Sequence, residues 1–399
     1  MTINNEFDSS GKNLLRGPVR AFKLHPVFFS LFVTAFVGFI LLAIYRFSVG
    51  LGVTGLNDRT AWGLWTALKL SLVVVSGCAF ALTGMVYIFK MERYRPLVRS
   101  AALVGLLGYA TFALTLIFEL GWPWRIVHPI WMHNYHSILF EVAWCVMLYL
   151  TVLSLEFIPN VLERLQKFKF LKIFNKATPT LVMAGIILSI LHQSSLGSIF
   201  VIAPYKMNHL WFSPWIGPFF IISAVFCGFA MVILIELLMA AFDRRQPHLK
   251  LLNELGWYSV PFLGLYLGFK IVDILERGSA RQAFAACDTH TFLFLVEIGL
   301  GILLPIILYT NRKVRSSPKG LALTASLVIL FGGALNRFNV SVTAIGHGSL
   351  GYTPTFVEYI FIPLILVLVA GIYVIITRCF PILPTTAPPP KRSKKSELK

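Results

Sequence analysis

Residues 119–141 read ELGWPWRIVHPIWMHNYHSILFE. One apolar run ends at Glu119 and another begins after Ser137, so the segment between them is a short connector crowded with Trp, His, Arg and Asn. Indole rings gather where lipid meets water, and a charged group at that boundary still reaches water. Glu119 and Glu141 each sit just inside a flanking run, so the connector marks a membrane edge where titratable groups meet. The fold class follows from the flanks. A run of about twenty apolar residues crosses lipid, and it crosses as a helix because lipid offers the backbone no hydrogen-bond partner.

Working outward, the pattern predicts an all-α polytopic membrane protein with ten spans, at 26–46, 62–89, 99–119, 137–158, 177–195, 214–242, 255–274, 289–310, 319–337 and 356–379. Of the 399 residues, 57% are hydrophobic and 13% charged, which excludes an ordinary soluble domain. The formal charge of +18 does not indicate nucleic acid, because the basic residues fall in short connectors between apolar runs. Of the 35 Lys and Arg residues, 26 lie on one side of the expected membrane and 6 on the other, while Lys69, Lys270 and Arg337 fall inside spans. That excess puts both termini in the cytoplasm and the 120–137 connector on the outer face. Residues 1–25 read as a polar, basic cytoplasmic segment without a cleavable signal pattern. The tail, 381–399, is Pro-rich and then basic, and reads as a disordered cytoplasmic extension held near lipid.

Several cofactor classes lack their ligands. The five cysteines are scattered, with no CxxC pair and no Cys/His cluster for zinc or iron–sulfur. Gly50 to Gly55 matches GxGxxG, yet it follows an expected membrane helix and not the strand that a dinucleotide site needs. A haem calls for axial histidines paired on facing helices. Of nine histidines only His192 falls clearly within a span, and His136 is its one candidate partner.

Ionisable side chains inside lipid are costly and mark function. At the helical rise, Lys69 lies ~10 Å from the outer end of span 2. Glu119 closes span 3, Glu141 lies one turn into span 4, and His192 lies in the last turn of span 5. Four neighbouring helices thus aim titratable groups at one depth, which predicts a site for a lipid-soluble molecule with a polar, proton-exchanging head. Trp122 and its neighbours stand ready to wall a flat ring. A second set, Lys270, Asp273 and Glu276 with Glu297, Arg337 and Glu358, reads as structural ion pairs, Lys270 with Asp273. Glu156 and Glu236 lie toward the cytoplasmic end and, with Asp273 and Glu297, are the candidates for a proton path.

These residues carry a resemblance. WGLW (62–65), YRPLVR (94–99), HP (128–129), NYHSILFEVAWCVMLYLTVLSLEF (134–157), LHQSSLGS (191–198) and HLW (209–211) resemble the NrfD/polysulfide-reductase-type membrane subunits, and within them the HybB branch of hydrogenase membrane subunits. The resemblance extends over nearly the whole chain. It implies a quinone-interacting subunit, not catalytic alone, that exchanges electrons between menaquinone or ubiquinone and an outer-face partner. That partner would be an iron–sulfur ferredoxin-like subunit, a hydrogenase or a multihaem cytochrome c. No haem or iron–sulfur cluster is expected in this chain, and the location implied is a bacterial inner membrane. It also implies a first helix and outer loop (26–61), a four-helix bundle with the quinone site (62–213), a second bundle (214–355) and a peripheral last helix (356–380). The chain departs from the family where an acid is expected at Lys69 and a Gly-Arg pair at Gly121-Trp122.

Combining both lines, Glu141 and His192 are expected to bond the two ring oxygens of a quinone or relay their protons. Arg125, Asn134 and His136 complete the polar mouth, and Lys69 pairs with Glu119 or Glu141 or holds an oxygen directly. The competing readings are a proton channel or transporter without electron transfer, a b-type cytochrome, and a structural anchor. Topology is directly testable: a fluorescent protein fused after Lys399 should fluoresce, and alkaline phosphatase inserted in the 120–137 connector should be active. The reverse pattern would invert the assignment.

Overall fold

The computed structural model describes residues 25–57, 60, 62–202, 204–279, 288–345 and 352–383. The segment 1–24, the tail 384–399, Cys287 and His347 lie outside the described residues. Ten helices are long and apolar enough to cross a membrane among the described residues: α1 (Pro26–Val49), α2 (Leu64–Ile88), α3 (Glu92–Glu119), α4 (Ile138–Arg164), α5 (Phe168–Val201), α6 (Ile216–Phe242), α7 (Leu249–Glu276), α8 (Thr289–Thr310), α9 (Pro318–Thr343) and α10 (Phe356–Cys379). Each coincides with an expected span. The largest difference is α5, which starts at Phe168, so Lys169, Lys172 and Lys176 are helical and not loop residues. At 34 residues it is about 51 Å long and overshoots the hydrocarbon.

Helices α2–α5 pack against one another as one bundle and α6–α9 as a second, while α1 pairs with α10 at the side of α3. The two bundles meet where α2 packs on α6 and α9 and α5 packs on α6, and glycine makes the α2–α6 crossing possible. A Cβ on Gly77 would stand 2.4 Å from the Ala224 carbonyl oxygen, and one on Gly228 would stand 2.7 Å from the Cys78 backbone nitrogen. Widened π-helical turns interrupt α8 at Gly299–Leu303 and α9 at Val328–Leu335 and Asn339–Thr343. Such turns shift which side chains face inward and are frequent at functional sites.

Helix ends bury backbone groups that need partners. Arg46, from the peripheral α1, donates from Nε to the Phe118 carbonyl and from Nη2 to the Leu120 carbonyl, both at 2.8 Å. It thereby closes the end of α3 around Glu119. Glu358 is not the ion-pair member expected from the sequence. With Thr355 it forms the capping box of α10, and it accepts the Gly55 backbone N–H at 2.7 Å and the Tyr352 hydroxyl at 2.6 Å. Burial and that acceptor push the Tyr352 hydroxyl pKa above its usual range. The GxGxxG stretch begins at the end of α1 and runs through a short turn at Leu51–Val53, so a helix precedes it where a dinucleotide site needs a strand. There Gly50, at φ 90°, adopts a backbone that L side chains rarely tolerate.

Gly228→Val should cost about 1–3 kcal/mol through overpacking at the bundle crossing. Gly264→Ala, where a Cβ meets nothing within 4 Å, should be neutral. Thermal unfolding of the detergent-purified protein distinguishes the two.

Candidate functional site

The end of the first bundle next to the 120–137 connector brings Lys69, Glu119 and His192 together around Phe112, with Glu141 at its edge touching Ser195. The Lys69 ammonium forms a buried ion pair with Glu119, whose other oxygen accepts the Thr66 hydroxyl at 3.0 Å. Lys69 therefore pairs across α2 and α3 with Glu119 and not with Glu141. Its ammonium stands 5.7 Å from the centre of the Phe112 ring, and that ring meets His192 edge-on at 5.7 Å. One turn beyond His192, Ser195 donates to the Glu141 carboxylate. Glu141 itself is exposed on the outside of the bundle, whereas His192 is completely buried.

His192 is the site's anomaly. Among the described residues neither ring nitrogen has a hydrogen-bond partner, although a neutral imidazole carries one donor and one acceptor. Tyr109 lies 5.3 Å from it between ring centres and 4.5 Å from Tyr149. Ser189, one turn back along α5, lies beside both tyrosine hydroxyls, yet neither Ser189 Oγ nor the Tyr109 hydroxyl completes a hydrogen bond. Gln193 donates to the Val73 carbonyl at 2.9 Å and leaves its own oxygen unpaired. Leaving a buried polar group unpaired costs about 1–3 kcal/mol. Five such atoms within two turns of α5 and one tyrosine of α3 therefore mark a place built for something with hydrogen-bonding capacity. Sequence reasoning missed Ser189 and Gln193, although their i, i+3, i+4 spacing with His192 was visible. It missed Tyr109 because one tyrosine in an apolar run reads as core.

The connector residues are less closely joined to this centre. Trp122, Arg125, Asn134 and His136 are all exposed. Arg125 stacks over Trp122 at 3.7 Å, and Trp122 stacks on Trp124. The connector is moored to α4 by the Trp144 indole, which donates to the Pro129 carbonyl at 3.0 Å. Among the described residues, no contact links Asn134 or His136 to His192. They form an aromatic, polar apron outside the bundle.

The second bundle corrects the ion-pair expectation. Asp273 does not pair with Lys270. It is held by Arg277 through two bonds, at 3.0 and 2.6 Å, and by the Ser213 hydroxyl at 2.7 Å. Glu297 is bound by neutral donors: Trp211 Nε1 at 2.8 Å, Asn336 Nδ2 at 2.8 Å and Asn339 Nδ2 at 2.7 Å. Arg337 donates to Asn336 Oδ1 at 2.6 Å and to Ser223 Oγ at 2.8 Å, with no carboxylate in contact among the described residues. At the opposite membrane end, Glu236 is clamped by both terminal nitrogens of Arg245, at 2.7 and 2.8 Å, and touched by His248 Nδ1 at 2.9 Å. Burial alone would lower the Arg245 pKa, but the bonds from Glu236 outweigh it and hold the guanidinium above its usual value. Glu156 lies at the α4–α5 interface, where its Oε1 stands 3.0 Å from the Cβ position of Gly185.

Fold and site together define a polytopic helical membrane protein with a buried, titratable centre at one end of a four-helix bundle. Residues 52–346 match the family described as Polysulphide reductase, NrfD, and the chain belongs to that family. It is 32% identical to the probable Ni/Fe-hydrogenase 2 b-type cytochrome subunit of Escherichia coli K12 over 86% of this chain and 89% of that protein. It is 28% identical to the menaquinone reductase integral membrane subunit of Nitratidesulfovibrio vulgaris Hildenborough over 89% and 91%. It is 26% identical to a selenate reductase subunit of Mesobacillus selenatarsenatis over 72% and 75%.

One of those names includes a b-type cytochrome, and the donors in this chain do not fit a haem held by two histidines. Among the described residues no second imidazole faces His192, His136 is on the exposed apron, and aromatic rings pack against the His192 ring.

The Lys69–Glu119 pair predicts a thermodynamic cycle. Lys69→Met and Glu119→Gln should each cost about 3 kcal/mol by stranding a buried partner. The double variant should melt closer to wild type than either single one, and additive losses would contradict the pairing.

Proposed function

We propose that the headgroup of a quinone or quinol binds inside α2–α5 near the outer membrane surface, and that the chain is the quinone-interacting membrane subunit of a respiratory oxidoreductase complex in a bacterial inner membrane. One observation carries the reading: His192 is fully buried with both nitrogens unpartnered, beside the unpartnered Tyr109 hydroxyl and Ser189 Oγ. A flat ring with two oxygens supplies the missing acceptors, and as a quinol the missing donors, while Phe112 and Tyr109 provide aromatic walls. His192 bonds one ring oxygen, and Glu141, reached through Ser195, takes or gives the proton at the rim. The Lys69–Glu119 pair sets the local charge behind Phe112.

Relatives named as subunits of a menaquinone reductase, a hydrogenase and a selenate reductase support a redox partner, and the first of these favours menaquinone. Electrons leave this chain for an iron–sulfur ferredoxin-like subunit, a hydrogenase or a multihaem cytochrome c on the outer face, where the exposed Arg125–Trp122–Trp124 stack offers a docking surface. Glu156 is the inner carboxylate available to bring protons toward the site, since Glu236 is clamped by Arg245 and His248.

Glu141→Gln and His192→Leu should each lower quinol oxidation by the purified complex about 100-fold or more, the scale of a lost proton-transfer group. Partner subunits should copurify undiminished. Normal turnover in both variants would sink the assignment.

A further inference from the structure

At the membrane end opposite the proposed quinone site, α5 carries a charged segment that nothing in the protein balances. From Ala177 to Val201 the helix contains no Lys, Arg, Asp or Glu, and that stretch is already ~37 Å long, more than the ~30 Å of hydrocarbon. Residues 168–176, FKFLKIFNK, therefore stand outside the hydrocarbon, at the depth of the lipid headgroups. Lys169, Lys172 and Lys176 follow i, i+3, i+7 spacing, so they form one stripe ~10 Å long on a single face. All three are exposed, as is Lys167 at the helix start. Exposed apolar groups border the stripe on both flanks: Phe168 lies one turn before Lys172, and Ile173 one turn after Lys169, with Phe170 beyond it.

No acid balances these cations. The sequence has no Asp or Glu between Arg164 and Glu236. Among the described residues none of the four lysines has an ion pair, and Glu163, the closest carboxylate in sequence, is taken by Arg99 at 2.8 Å. Arginines at the same membrane end are matched, Arg245 by Glu236, Arg378 by Asp243 and Arg93 by Glu254. The first turn of α5 also lacks an acidic residue, so the lysines add their charge to the positive end of the helix dipole. That repulsion is relieved only by an anion from outside the chain.

We propose that this stripe is a binding site for anionic phospholipid, with the phosphodiester shared between Lys172 and Lys169 or Lys176, and the glycerol and upper acyl carbons against Phe170 and Ile173. Helical side chains lean toward the N-terminus, which here aims the ammonium groups away from the hydrocarbon and toward the headgroups. Ammonium groups one turn apart are close enough to share one phosphate. An acidic protein would match the lysines and leave the interleaved Phe and Ile side chains in water, whereas a phospholipid meets both. The site is independent of the quinone reading, which concerns the other end of the helix.

Native mass spectrometry of the intact complex in detergent, supplied with equal phosphatidylglycerol and phosphatidylcholine, counts the lipids retained. Wild type should retain phosphatidylglycerol at least about 5-fold over phosphatidylcholine, the worth of one lysine beside an anionic headgroup. The Lys169→Gln/Lys172→Gln/Lys176→Gln variant should lose this preference, and the corresponding triple arginine variant should keep it. Arg312→Gln/Lys313→Gln/Lys319→Gln removes the same charge from the same membrane end. It should keep the preference, because no large apolar side chain is exposed along 312–319. No preference in wild type, or an equal loss in the 312/313/319 variant, would overturn the proposal. So would displacement of the lipid by an equal concentration of glycerol phosphate, which marks a soluble-anion site. Copurification of an acidic protein that the glutamine variant abolishes, with the lipid preference unchanged, would also overturn it.

Discussion

Lipid cannot satisfy a hydrogen bond, so every polar group carried into the membrane must find its partner inside the protein. This constraint explains where the charges of this chain end up. Arg46 arrives on the peripheral α1, and it binds two carbonyls at the end of α3. Glu358 binds the backbone and hydroxyl groups of two connectors. Glu236 at the other membrane end is enclosed by Arg245 and His248. Each of these side chains looks functional from its burial alone, and each is fully employed in holding segments together.

Against that background the exceptions gain meaning. In the first bundle the exceptions are neutral: His192, Tyr109, Ser189 and the oxygen of Gln193 are buried with hydrogen-bonding capacity unused. In the second bundle the exception is a charge, Lys270, surrounded by partners already bound to others. Neutral donors and acceptors in a row suit a ligand that hydrogen-bonds and trades protons. The two halves of the molecule meet along α2, α5, α6 and α9, and glycines let α2 and α6 touch backbone to backbone.

Burial in a bundle also separates lookalike residues. Lys69 and Lys270 both stand inside lipid-spanning helices beneath the same membrane edge. Lys69 finds a carboxylate across the helix interface. Lys270 has a carboxylate three residues along its own helix, yet Arg277 at i+4 from Asp273 captures that carboxylate first with a two-pronged geometry an ammonium cannot match.

The ten spans and the convergence of Lys69, Glu119 and His192 were legible in the chain itself. Apolar run length fixes a membrane helix almost without regard to neighbours, and helical rise fixes the depth of each charge. Identity of partners was not legible, because pairing across helices depends on their rotation and crossing, which no single segment encodes. Spacing along α7 suggested Lys270 with Asp273, and packing gave Asp273 to Arg277 and Glu297 to three amide and indole donors. Composition predicted a crowded connector, and only the tertiary structure set Trp122, Arg125, Asn134 and His136 outside the bundle while leaving the nitrogens of His192 bare within it. The sequence determined which groups enter the membrane and how deep they lie. The packed structure decided which of them were left with bonding capacity to use, since that depends on what the neighbouring helices bring to meet them.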